Sequence, residues 1–376
     1  MKFKVGDFKT TTAFRDAIND VLGSNHITEG RYVKLFEREV EKILHVRHAI
    51  AICNGTISLQ IIAYYLKTQK IKKDKPVVCV PATTFPATLN AFLMIGYEPI
   101  LCDINENDLC INIDNLTEDE KKRIDVIVPV SILGYTPDMD KIMLEAKKYG
   151  WFVVEDFAEA FGSKYDGKYL GSIGDFGSSS FFVSHVIQAG EMGVITTNDD
   201  NYAEAIRKMK NHGRDGDPMK FEHGLVGTNG KTTEFCAAIA FEQLKDFERI
   251  VKNRQEIAKT YYLGIKNTNL IAMPWGVNYS MLGYPIIAKS KQQKEFAIKK
   301  LHDGDVETRG MFPCLANQKA YQELDENGKV KKYLLGEPSK YPISVKMEEN
   351  GFYIGVHQYI TPIAAEKIAQ ILNVSK

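Results

Sequence analysis

Apolar and polar positions alternate in two registers along the first two hundred residues. Val33, Phe36, Val40 and Ile43 recur at helical spacing, predicting a helix over 33–44. Ala49–Cys53 is a short apolar run stopped by the turn pair Asn54-Gly55, and 56–65 returns to helical spacing through Ile57, Ile61 and Tyr65. Strand-like runs follow at 76–80, 98–103, 125–130 and 151–155, separated by helical segments at 87–93 and 139–149. This order predicts a mostly parallel sheet with helices on both faces. Ligands gather at the carboxyl ends of such strands, which draws attention to Gly55-Thr56, Phe85, Asp156 and Ser180.

The pattern changes after residue 240. A long helical stretch is predicted over 237–263, strands at 283–289, 341–347 and 351–355, and a closing helix at 362–372. The expected organisation is α/β, with a large domain over 1–240 and a smaller C-terminal α/β domain over 241–376. No internal repeat or low-complexity segment interrupts it. The Gly-, Asp- and Asn-rich loop from His212 to Gly230 is long enough to suggest a function.

With 44% hydrophobic and 26% charged residues, the composition is that of a globular protein. Lysine plus arginine and aspartate plus glutamate both number 48, so no global field favours nucleic acid. The N-terminus MKFKVGDFKTTTAF lacks the apolar segment of a signal peptide, and no apolar run reaches membrane-spanning length. The six cysteines are scattered without a CxxC pair. Cys79 and Cys102 lie in strand-like runs and read as small buried hydrophobes. The chain is therefore expected to be cytoplasmic and reduced, without metal or membrane.

Four places carry candidate chemistry. Asn54-Gly55-Thr56 opens a helix, whose free N–H groups suit a phosphate; taken alone, a helix-capping threonine is the more ordinary explanation. The apolar strand before Asp156 delivers a carboxylate that, once buried, needs a cation such as a protonated pyridine nitrogen; an ion-paired or helix-capping aspartate is the alternative. The hydroxyls of Ser178–Ser180 follow a Gly-flanked turn, as phosphate ligands or as strand-end serines. His185 alone is a structural histidine as readily as a catalyst.

Taken together, these residues resemble the DegT/DnrJ/EryC1/StrS family, the sugar aminotransferases of fold type I. The ordered set is Gly55-Thr56, Phe85 after Pro81-Ala-Thr-Thr, Asp156 with Glu159, Ser180, and His185 before Glu191-Met-Gly193. His26-Ile-Thr-Glu-Gly30, Gly227-Thr-Asn-Gly-Lys231 and Glu307-Thr-Arg309 extend the match over nearly the whole chain. The resemblance implies a pyridoxal 5'-phosphate or pyridoxamine 5'-phosphate cofactor. Its phosphate would be held by Gly55, Thr56 and Ser180, its ring stacked by Phe85, and its nitrogen bound by Asp156. Glu159 would lie near the ring hydroxyl. Asn229 would reach the phosphate of a neighbouring subunit, making a homodimer the minimum unit.

One departure is informative. Family aminotransferases carry a lysine that anchors the cofactor covalently, six residues before a Glu-Gly-Gly turn. Here Glu191 opens Glu-Met-Gly, and the residue six positions earlier is His185. An imidazole cannot replace the lysine anchor, but it can move protons. The replacement resembles the His-bearing GDP-4-keto-6-deoxymannose 3-dehydratase group, as does Gly351–Gln358. The expected activity is removal of the C3 hydroxyl from a nucleotide-linked, GDP-type 4-keto-6-deoxy sugar, with glutamate as amino donor and ammonia released. Arg214, Arg309 and His357 are candidate substrate contacts by position. Against this, Gly227–Glu234 is closer to the GxNGK form of an aminotransferase branch. An aminotransferase with its lysine changed to histidine, one using Lys231 instead, and a catalytically silent relative remain open.

Overall fold

A computed structural model describes residues 2–216, 219–324, 326 and 328–374. The chain begins with helices α1 (Thr12–Gly23) and α2 (Arg31–Leu44), then strand β1 (His48–Ile52) and α3 (Gly55–Tyr65). There follow β2 (Val77–Pro81), α4 (Pro86–Leu93), β3 (Glu98–Cys102), α5 (Glu118–Arg123), β4 (Val126–Ile127), α6 (Met139–Tyr149) and β5 (Phe152–Asp156). A hairpin of β6 (Lys164–Tyr165) and β7 (Lys168–Tyr169) precedes β8 (Phe176–Ser180), β9 (Gly193–Thr197) and α7 (Asp200–Met209).

Seven of these strands form one sheet in the order β1-β9-β8-β5-β4-β2-β3. The pairs from β3 through β8 are parallel, and β9 alone runs against its neighbours β8 and β1. Six strands thus point their carboxyl ends to one edge. Alternate residues bury opposite faces: Ala49, Ala51, Cys79 and Val153 join one apolar cluster, while Ile50, Ile52, Val78, Val80 and Val154 join the other. Cys79 and Cys102 are buried apolar side chains, as expected.

Helices α8 (Glu234–Leu244) and α9 (Phe247–Gly264) lead to a second unit. Its sheet, ordered β10-β11-β15-β12, consists of β10 (Leu270–Ala272), β11 (Gly283–Ala288), β12 (Thr308–Gly310) and β15 (Gly351–Gly355). Helix α10 (Lys291–Asp303), the hairpin β13 (Gln322–Leu324) and β14 (Val330–Tyr333), α11 (Pro342–Asn350) and α12 (Pro362–Leu372) complete it. Among the described residues, no helix is long and apolar enough to cross a membrane.

Two predicted elements are corrected. The segment 341–347, read as a strand from its β-branched residues, is the start of α11. Asp103 accepts from the backbone of Ile343 and Ser344 (3.0 and 2.9 Å) and from the Ser344 hydroxyl (2.6 Å), so a carboxylate distant in sequence caps the helix. The single helix expected over 237–263 is two, broken at Lys245-Asp246. The start of α2 is also capped from afar. Gly30 has no side chain to do it, and Glu234 of α8 accepts from Gly30, Tyr32 and Val33 N–H groups at 2.8–2.9 Å.

Candidate active site

The shared carboxyl edge of the large sheet brings together β5, β8 and the turns after β1 and β2. Asp156 ends the apolar run of β5 and is 6% exposed. Its Oδ2 accepts from the Thr88 hydroxyl at 2.7 Å and its Oδ1 from the Ala158 N–H at 3.2 Å. Burial raises its pKa, and these two donors only partly offset that. No cationic side chain pairs with it among the described residues, which disposes of the ion-pair alternative. Glu159 follows on the next turn and accepts from Leu133 N–H at 2.7 Å. Burial first, then the neighbouring Asp156 charge, push it up to about 8. Neither carboxyl of this buried pair has a cationic partner among the described residues.

The turn after β1 supplies a cradle. Asn54, not Thr56, is the N-cap of α3, its side chain accepting from Ile57 N–H at 2.8 Å. The Thr56 hydroxyl is thereby left without a hydrogen bond among the described residues. A Cβ on Gly55 would lie 3.0 Å from the Ser180 Cβ, and one on Gly193 would lie 2.6 Å from the Asn54 carbonyl carbon. A side chain at Gly193 would collide with backbone, so glycine is required there, and one at Gly55 would be tight against Ser180. Of the three serines, Ser178 and Ser179 donate to the Gly55 and Phe157 carbonyls at 3.4 and 3.2 Å. Ser180 is half-buried at the strand end and only weakly engaged, by Phe182 N–H at 3.4 Å.

His185 stands in the turn after β8. Its Nδ1 lies 2.8 Å from the Ser180 carbonyl. A carbonyl only accepts, so Nδ1 carries the proton and Nε2 presents its lone pair. Burial pushes the imidazole down to about 4, helped by the Arg254 charge, so the ring is neutral at pH 7. Phe85 is 59% exposed at the start of α4, with the apolar area free to stack on a ring. Phe312 meets it edge-on at 6.3 Å and stacks on Tyr353 at 6.0 Å. Tyr353 faces both Glu159 and Arg309, and burial together with the Glu159 charge raises its phenol to about 12. Arg309, half-exposed, lies 3.5 Å from Glu307.

The remaining candidates lie on the long loop and beyond β15. Asn229 is exposed on the long loop, bridged to Asn211, and the Lys231 amine donates to the Asn211 side chain at 3.0 Å. Arg214, on the same loop, stacks over Phe221; residues 217 and 218 lie outside the described residues. His357 is 4% exposed, with Nε2 on the Lys4 carbonyl at 3.1 Å and Nδ1 accepting from Tyr359 N–H at 3.3 Å, so neither nitrogen is free for a substrate. Sequence reasoning missed Thr88, Phe312, Tyr353 and Arg254. Arg254 alone left a trace: a charged residue on the apolar face of α9, four positions from Ile250 and three from Ile257.

An open helix N-terminus, a bare threonine hydroxyl, an exposed phenylalanine and buried carboxylates thus lie along one sheet edge. The chain matches the DegT/DnrJ/EryC1/StrS aminotransferase family over residues 9–371 and belongs to it. Enzymes of this family use pyridoxal 5'-phosphate, and the buried, cation-less Asp156 fits the cofactor's protonated nitrogen. A GDP-perosamine synthase of Escherichia coli O157:H7 is 30% identical over 314 residues, spanning 82% of this chain and 84% of that protein. The fold matches Helicobacter pylori PseC, an aminotransferase of pseudoaminic acid biosynthesis, with a TM-score of 0.86 at 23% identity over 98% of each chain. It also matches an E. coli GDP-4-keto-6-deoxy-D-mannose-3-dehydratase holding hydrated PLP, with a TM-score of 0.86 at 23% identity, over 98% of this chain and 99% of that one.

Proposed function

We propose that this enzyme is a 3-dehydratase that removes the C3 hydroxyl of a nucleotide-linked 4-keto-6-deoxy sugar, GDP-linked by analogy with its relatives. The observation that carries the reading is His185: a neutral imidazole with a bare Nε2 at the position where the family's covalent lysine stands. When bound, pyridoxamine 5'-phosphate supplies an amine and an electron-withdrawing ring. Gly55, Thr56 and Ser180 hold its phosphate, Phe85 covers its ring, Asp156 keeps its nitrogen protonated, and Glu159 borders the ring hydroxyl. The exposed Asn229 serves the phosphate of a neighbouring subunit, so the working unit is a homodimer.

His185 takes a proton at Nε2, and the imidazolium so formed returns it to the departing C3 oxygen, one group acting first as base and then as acid. Glutamate is the amino donor, and it leaves as 2-oxoglutarate with ammonia released. The overall product is a 3-deoxy ketone one oxygen atom lighter than the substrate. Arg309 and Tyr353, beside Glu159, border the sugar side of the site.

The rival reading is amino transfer to the sugar, favoured by the perosamine synthase likeness. It needs a lysine in place of His185, and both Lys231, the candidate from the sequence, and the buried Lys210 are occupied. Lys231 is tied to Asn211, and the buried Lys210 is paired with Glu29 at 2.7 Å. His185→Lys tests the proposal. The variant should anchor the cofactor covalently after borohydride reduction, seen as a mass increment on residue 185, and lose dehydration. Dehydration at the native rate in that variant would refute the role given to His185.

A further inference from the structure

We infer that Arg254 is the positioning residue of the His185 turn, tying the His185 main chain to the small sheet so that the imidazole is held at the site. The inference rests on the reading of His185 as the proton-transfer group.

Arg254 has no exposed surface. It sits on α9 among Ile250, Ile257, Ala258 and Tyr261, where a leucine or methionine would pack without the penalty of burying a charge. No carboxylate pairs with it among the described residues. Its donors instead reach three separate segments. Nη1 donates to the Met281 carbonyl at 2.9 Å, just before β11; Nη2 donates to the His185 carbonyl at 3.2 Å and to Gln358 Oε1 at 3.1 Å, beyond β15. Burial lowers the guanidinium only to about 9, so it remains a cation at pH 7.

The turn has a second anchor at its far end. Gln188 N–H donates to Gln243 of α8 at 3.0 Å, and the Gln243 amide donates back to the Gln188 carbonyl. Between the two anchors Val186 and Ile187 are buried, whereas Phe182 and Val183, before His185, are exposed. At His185 itself the N–H donates to the Phe182 carbonyl at 2.9 Å and Nδ1 to the Ser180 carbonyl at 2.8 Å, both within the local segment, and the hydrogen bond that ties this residue to a distant element is the one from Arg254. Its charge also opposes protonation of His185. The titratable and charged groups facing this pair are Tyr359 and His357 from beyond β15, with Asp7 and Lys9 of the N-terminal segment beside His357. A guanidinium that supplied only packing would leave both the placement and the titration of His185 to other groups.

Arg254→Met and Arg254→Lys test this in the full-length holoenzyme. The readouts are hydrogen exchange of residues 182–190, the His185 ring titration by NMR, and steady-state kinetics with a 4-keto sugar nucleotide. Arg254→Met should speed exchange of the turn, raise the His185 titration midpoint, and lower kcat at least about tenfold while KM changes less than about threefold. Arg254→Lys, which keeps the charge and some donors, should recover part of kcat and keep the midpoint low. Should Arg254→Met fail to fold, Arg254→Gln, a donor without charge, is read the same way. Native exchange, titration and kcat in the uncharged variant would overturn the inference. If His185→Asn is inactive while Arg254→Met behaves as native, only the Arg254 role is lost. If His185→Asn stays active, the reading of His185 itself fails.

Discussion

In the cofactor-free protein, replacing Glu159 by glutamine should raise stability far more at pH 8 than at pH 5. The carboxyl is pushed from 4.5 to about 8, chiefly by burial and further by the Asp156 charge. Between those values the folded chain keeps a proton that the unfolded chain releases. The unfolded state then binds fewer protons, so stability falls as pH rises through this window. Each pKa unit corresponds to about 1.4 kcal/mol, which sets a ceiling of about 5 kcal/mol on the loss at pH 8. Water entering beside the ionised group would reduce it to about half. Glutamine keeps an acceptor oxygen for the Leu133 N–H and never ionises, so the variant escapes the loss. His185 and His357, both lowered to about 4, act in the opposite sense. They contribute stability above pH 6.5 that is lost as pH falls toward 4, but equally in both proteins, and so cancel in the difference. The assay is urea unfolding of stripped wild type and Glu159→Gln at pH 5, 6.5 and 8. Parallel midpoints across that range would refute the claim that burial holds Glu159 as a protonated acid in the folded chain.

Other substitutions probe the cradle and the frame. Gly55→Val places a side chain against Ser180 and should weaken pyridoxamine 5'-phosphate binding at least about tenfold with the fold intact, measured by fluorescence titration. Native affinity would show that the helix N-terminus does not hold the phosphate. Glu234→Ala strips the acceptors from three N–H groups at the start of α2 and should cost about 2 kcal/mol in urea unfolding. A native unfolding midpoint would mean that water replaces the carboxylate without loss.

Much of the large sheet was legible in the sequence because its strands are buried on both faces and read as unbroken apolar runs, as at Val77–Val80 and Phe152–Val154. Asp156 was legible for the same reason, as the polar residue such a run delivers. What escaped was set by residues distant in sequence. Residues 341–347 look like a strand until Asp103, some 240 positions earlier, caps them as a helix. Asn54 rather than Thr56 caps α3, which turns an explained hydroxyl into a free one. Thr88 could not be linked to Asp156 from spacing alone, nor Arg254 to the His185 carbonyl, since both contacts depend on how separate elements pack.

Product analysis with GDP-4-keto-6-deoxymannose, glutamate and pyridoxal 5'-phosphate tests the central claim most directly. The account predicts a sugar nucleotide lighter by one oxygen atom, with 2-oxoglutarate and ammonia formed together. A stable 4-amino sugar nucleotide, with 2-oxoglutarate but no free ammonia, would contradict it.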